Sequence, residues 1–351
     1  MAADDESVTP WRWHADRAPW SRRVAAAAEH WEPAIRLSCS ASDVLAAIER
    51  AAEAGPDRLY DPRVIALTHH RDDGRASREL NLVTWLADRH ELDGDVHLDA
   101  PEWLWSRDGG VPVAAGSHHL ADLARRADAA PETFPVPWLD PWCTILGYAH
   151  ADSVPASGRS EPDQEEAVRH GALVALRAVC LLHERSPDLA QWLATYAKVL
   201  VYLDDGGRIA RSASSADLPG IVFADATTEV ALLELLVHES AHHLLYLEES
   251  ASPLVDPNDD RRFESPLRAD ARPLRGILLA YHALAYICAL YAELASSDIG
   301  RAFDPADVAS LRAKAEDAAA TIDAASDGLT DAGARFVHTT TSVLRYADRT
   351  R

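Results

Sequence analysis

The chain has 351 residues, long enough for two domains at roughly 150 residues each, and its 34 Lys+Arg against 56 Asp+Glu give a net charge of −22. So negative a surface excludes broad affinity for nucleic-acid backbones or anionic lipid, both of which need a positive field to release counterions. Apolar residues at 48% and charged residues at 26% are ordinary globular values, which excludes an acidic disordered chain.

Cys39, Cys143, Cys180 and Cys288 stand far apart and form no C-x-x-C pair, which argues against a disulfide framework or a zinc ribbon. The N-terminus, MAADDESVTPWRW, carries acids where a signal peptide needs a basic flank and an apolar run. No stretch of 18 uncharged apolar residues follows. The expectation is a soluble, reduced, cytoplasmic protein.

In chain order, apolar residues recurring at three and four predict helices over about 22–31, 42–54, 77–90, 118–129, 164–184 and 188–197. Proline-rich breaks at 131–141 and around Pro155 read as loops, the second as a surface linker. From 198 to 224 the pattern changes to KVLVYL, the turn signal DDGG and an IVFA run, which predicts two short strands. A helix apolar on nearly every side then follows an N-cap at Asp225, and a second runs from about Leu274 to Leu294 with Pro273 as its first residue. Asp304 caps the first of two closing amphipathic helices, which are split by SDGLTDAG. The fold class is mainly α with a short β element. A helical N-terminal region over 1–160 would precede a helical metal-binding domain over 161–351.

The first of the two apolar helices contains His238-Glu239-Ser240-Ala241-His242, an H-E-x-x-H pattern. Residues four apart on a helix lie about 6 Å apart on one face, so two imidazoles can reach one metal ion at about 2.1 Å each. The leucine-rich flanks place this polar group where unpaired histidines and a carboxylate would be costly. His243 points about 100° round the helix, away from the pair. His183-Glu184, His69-His70 and His118-His119 have no partner at ligand spacing. A metzincin would need Gly and His where Leu245 and Glu248 stand. Glu264, at the separation of a thermolysin-like third ligand, precedes Ser265-Pro266, where helical backbone is disfavoured. His282, midway along the second apolar helix, is the better third ligand.

Between these helices, Arg268, Arg272 and Arg275 fall within eight residues of an otherwise acidic chain. An Arg fork holds a carboxylate at two points, and the alternative is a loop tied down by Arg–Asp contacts.

The PGIVFA strand, LVHESAHHLLYL, SPLRADARPLRG, LLAYHALAY and GLTDAGARF, in this order and at these spacings, resemble the H-E-x-x-H-type 2-oxoglutarate-dependent peptide β-hydroxylases encoded near ribosomally made, post-translationally modified peptides. The resemblance covers about Val199 to Ala347. It implies Fe(II) held by His238, His242 and a downstream histidine, for which His282 is the match. It also implies that an arginine of the Arg268/Arg272 segment binds the distal carboxylate of 2-oxoglutarate, with Arg275 in the same basic group. Some members place the downstream histidine three residues after the glycine matching Gly276, where this chain has Leu279; His282 lies one turn later on about the same face. The implied reaction consumes 2-oxoglutarate and O2 and hydroxylates the β-carbon of a residue in a precursor peptide, with Glu239 orienting a ligand or water. Two alternatives stay open: a zinc metallopeptidase with Glu239 as general base, and a non-catalytic peptide-binding scaffold. In the N-terminal region, Trp103, Trp105, Trp138 and Trp142 are candidates for a peptide groove.

Overall fold

A computed structural model describes residues 9–13, 18–29, 31–54, 64, 75–89, 91–106, 109–127, 173–174, 177–178, 180–197, 199–202, 212–216, 220–224, 228–297 and 303–349. In chain order, a 3-10 turn (Pro10–Arg12) is followed by α1 (Ala18–Glu29), β1 (Arg36–Leu37), α2 (Ala41–Ala54), α3 (Arg75–Asp88), β2 (Asp95–Leu98), β3 (Glu102–Ser106), β4 (Gly109–Val113), β5 (Gly116–His119) and α4 (Leu120–Ala127). Then come α5 (Pro187–Tyr196), β6 (Val199–Tyr202), β7 (Ser212–Ala213), β8 (Ile221–Ala224), α6 (Glu229–Ala251), β9 (Arg262–Phe263), β10 (Arg272–Pro273), α7 (Leu274–Leu294), α8 (Pro305–Ala324) and α9 (Asp331–Arg349). The fold is mainly helical, with short strand groups, as its sequence patterning predicts.

Two compact units divide the chain. One comprises Arg17–Leu176 and Ala197–Thr227; the other joins Met1–Asp16 and Arg177–Tyr196 to Thr228–Arg351. The expected boundary at 160 lies outside the described residues. Segments expected on one side of it belong to the unit of the other side. Trp11 explains one of them: it is 1% exposed, and its ring lies 5.5 Å from Trp192 and 5.7 Å from Tyr286, so the N-terminal turn completes the core of the unit that holds α6 and α7. The 197–227 segment is the other. Val199 pairs with Ile221, and Ser212 with Ala224, so β8 runs parallel to β6 and antiparallel to β7 in one small sheet.

In the first unit α3 is buried along most of its length, and Glu79 on it is 0% exposed. Its carboxylate accepts from Trp31 Nε1 at 3.0 Å and from the Ala34 amide at 2.6 Å, and pairs with Arg75 at 2.9 Å, which satisfies a charge that would otherwise be expensive to bury. The helix expected from 118 begins at Leu120 instead, because His118 and His119 end β5, which pairs antiparallel with β2. The strands of 95–119 escape a helix-weighted reading because each is only four or five residues long. Described residues of the 164–184 helix are helical. Of the four candidate groove tryptophans, Trp103 and Trp105 lie on β3 with side chains outside the described set, and Trp138 and Trp142 lie outside the described residues.

The second unit is built around α7, which packs against α6, α8 and α9. Its apolar residues are buried on almost every side, as the pattern LRGILLAYHALAYICALYAEL predicts. α7 is the one described helix long and apolar enough to cross a membrane, but 83% of its apolar window is buried inside the unit, as in a core helix. Asp304 caps α8 as expected, its carboxylate accepting from the Ala306 amide at 2.8 Å. Two expected starts move: α6 is capped by Thr228, whose hydroxyl accepts from the Ala231 amide at 3.2 Å, and Pro273 sits at the N-cap of α7, one place before the first helical residue. Asp225 is outside the described residues.

The turn before α9 is tied to the loop after α6. Thr330 donates to the Pro253 carbonyl at 2.6 Å and accepts from the Gly333 amide at 3.0 Å, while Val255 bridges Leu329. Arg261 binds Asp259 and reaches Asp327 at 3.0 Å. Any side chain at Gly333 would run into the Leu254 carbonyl, which accounts for a glycine in the first turn of a helix.

Candidate metal centre

α6 turns His238 and His242 to one side and buries Glu239, at 3% exposure, beside them. One ligand atom from each of these three lies within 4.8 Å of the other two. The imidazoles meet edge to face, with ring centroids 4.5 Å apart and planes at 83°, and Glu239 Oε1 stands 4.0 Å from His238 Nε2. This is the constellation that the i, i+4 spacing predicts. His243 is buried on another face, also as expected.

Burial holds the pKa of His242 well below 6.5, and the charges of His238, His282, His243 and Arg275 push it the same way. A neutral imidazole at neutral pH is the form that offers a lone pair to a cation. His242 Nδ1 is buried and has no hydrogen-bond partner among the described residues. Two imidazoles with a carboxylate alongside suit a borderline divalent ion such as Zn(II) or Fe(II), a range that includes the metal the family resemblance implies.

His282 is not part of this cluster. It is 0% exposed on α7, near enough to His242 for charge coupling, but outside the group whose ligand atoms lie within 4.8 Å. Its ring is enclosed by Phe336, Tyr286 and Trp13, at centroid distances of 4.5, 5.0 and 5.4 Å. Burial lowers its pKa to about 3. Its Nδ1 lies 3.0 Å from Thr340 Oγ1, and its Nε2 is buried without a hydrogen-bond partner among the described residues.

The three arginines separate. Arg268 is exposed. Arg272, on β10, pairs with Asp270 at 2.9 Å. Arg275 reaches back from α7 to α6, where its guanidinium grips Glu249 at two points and lies 5.7 Å over the Tyr246 ring. Of the three, only Arg275 is among the charges felt at His242. Glu264 is exposed.

Sequence reasoning missed Trp13, Glu249, Phe336 and Thr340. Glu249 had a local signal, since it follows His242 by seven residues, two turns along the same helix. The other three are brought to His282 by tertiary packing alone.

The chain matches no protein-family model and no curated protein.

Proposed function

We propose that the chain is an Fe(II)- and 2-oxoglutarate-dependent oxygenase that hydroxylates the β-carbon of a residue in a ribosomally made precursor peptide, acting in the cytoplasm without nucleic-acid or membrane partners. The observation that carries the reading is the pairing of a His238–Glu239–His242 cluster on α6 with an unpartnered, buried imidazole nitrogen of His282 on α7. Three histidines around one ion would leave coordination positions for the two oxygens of a 2-oxo acid and for O2.

The iron, when bound, supplies the oxidising chemistry, coupling decarboxylation of 2-oxoglutarate to insertion of one oxygen atom into a C–H bond. The chain's own residues position and desolvate. His238 and His242 hold the ion. The positive charge of Arg275, which acts on His242, favours an anionic ligand at the cluster. Glu239 has no obligatory proton to move in this reaction and orients a ligand ring or water. The apolar surroundings of α6 and α7 exclude bulk water and strengthen each of these interactions.

One observation favours the zinc-peptidase reading instead: Glu239 belongs to the cluster and lies beside His238, where a general base acting on metal-bound water would stand. One experiment separates the two. Iron-loaded protein incubated with 2-oxoglutarate, O2 and a co-expressed precursor peptide is expected to yield succinate and a peptide one oxygen atom heavier. Peptide cleavage without oxygen uptake would overturn the proposal.

A further inference from the structure

We infer that Thr340 is a positioning residue that readies His282 for the metal centre, by fixing which of its ring nitrogens carries the proton. The inference rests on the metal-binding reading of His238 and His242.

Proton counting fixes the tautomer. Thr340, 0% exposed on α9, donates its single hydroxyl proton to the Phe336 carbonyl one turn earlier, at 3.0 Å. The same oxygen lies 3.0 Å from His282 Nδ1. With its proton committed, Thr340 can only accept there, so Nδ1 is the protonated nitrogen and Nε2 holds the lone pair. Nε2 is the atom left buried and unpartnered. In the opposite arrangement Thr340 would donate to Nδ1, leaving a buried N–H at Nε2 that no cation could satisfy. Only the first arrangement gives the orphan atom a partner when a metal arrives, the usual pattern in which a ligand histidine donates its other N–H to a neighbouring oxygen. Trp13, Phe336 and Tyr286 pack against the ring and restrict it, so the hydrogen bond selects among few orientations.

Nothing about Thr340 is titratable, and its role would be invisible in its own chemistry. Its signature is the protonation pattern of another residue. The test uses full-length, metal-free protein carrying 15N-labelled histidine, with the His282 signals identified by their loss in His282→Gln. Wild type and Thr340→Ser should carry the proton on Nδ1, and Thr340→Val should shift it toward Nε2. In parallel, Co(II) titration should show Thr340→Val weakened about 10- to 100-fold, with Thr340→Ser restoring binding to within about twofold of wild type. A proton on Nε2 in the wild type overturns the inference, a measurement that needs no variant to fold. So does a Thr340→Val protein with unchanged tautomer and Co(II) affinity. If the tautomer follows Thr340 but His282→Gln binds Co(II) as tightly as wild type, the positioning role falls while His238 and His242 keep the metal. If wild type binds no Co(II), the metal reading itself fails and takes the positioning role with it.

Discussion

Arg275 and Glu249 form a two-point ion pair between the first turn of α7 and the last turns of α6, with Nε–Oε1 and Nη2–Oε2 both at 2.7 Å. Bidentate pairing fixes the plane of the guanidinium and leaves its Nη1/Nη2 edge for another carboxylate. Arg275 is the one of the three arginines whose charge is felt at His242; Arg268 is exposed and Arg272 is paired with Asp270.

The family resemblance implies Arg268 or Arg272 for the distal carboxylate of 2-oxoglutarate, whereas the charge that acts on His242 is that of Arg275. Losing a charge-assisted contact of about 1.5–3 kcal/mol weakens binding by about tenfold or more. Arg275→Gln is therefore expected to lower 2-oxoglutarate affinity by at least about tenfold in calorimetric titration of zinc-loaded protein, and Arg268→Gln and Arg272→Gln by about twofold or less. A larger loss from Arg272→Gln than from Arg275→Gln would return the assignment to the segment before α7.

The buried histidines make the metal-free protein acid-sensitive. His282 falls from 6.5 to about 3 in the folded state, and His242 is shifted the same way. A depressed histidine pKa means that the unfolded chain binds more protons below 6.5, so stability falls as pH drops through that value and stops falling once the folded ring also protonates. Each ring contributes a slope of about 1.4 kcal/mol per pH unit within that window. Chemical denaturation at a series of pH values should show a shallower acid limb in His282→Gln, by one ring's share. An unchanged slope would mean that His282 is not buried neutral.

Gly333 carries a stability prediction independent of the metal. A Cβ there would meet the Leu254 carbonyl, a backbone atom in a loop already held by Thr330 and Arg261. Gly333→Ala should destabilise the protein by about 2–3 kcal/mol, despite alanine's better helix propensity. Thermal unfolding would show it as a lowered midpoint, and a midpoint at or above wild type would contradict the close approach.

The candidate site is legible where it is local. H-E-x-x-H needs only helical periodicity to bring its side chains together, and His238, Glu239 and His242 meet as the spacing predicts. The apolar helix at 274–294 and the Asp304 cap were legible for the same reason. What sequence could not give is long-range. Trp13 reaches His282 across more than 260 positions, and Thr340 reaches it from the last helix, so no window of sequence holds both partners. The division of the chain is hidden likewise: residues 9–13 are expected in the N-terminal region, yet Trp11 is buried in the core of the unit that holds α6 and α7. Deleting everything before residue 160 would therefore remove part of that core as well as any peptide-recognition surface, and loss of activity in such a deletion would not report on recognition alone.

Glu239 distinguishes the two enzymatic readings by its cost. Under the oxygenase reading Glu239→Gln keeps the shape and a hydrogen-bonding side chain, and succinate formation should fall by about tenfold to a hundredfold, the range for residues that orient metal ligands. Under the peptidase reading the same change removes the base, and cleavage should be abolished.

The most direct test of the central claim is anaerobic visible spectroscopy of the iron-loaded protein titrated with 2-oxoglutarate. Chelation of Fe(II) by a 2-oxo acid produces a weak charge-transfer band that neither component shows alone. The band should appear in wild type, vanish in His242→Ala and require more 2-oxoglutarate in Arg275→Gln. Wild-type protein that binds iron but develops no such band at saturating 2-oxoglutarate would contradict the proposal that this chain is an oxygenase.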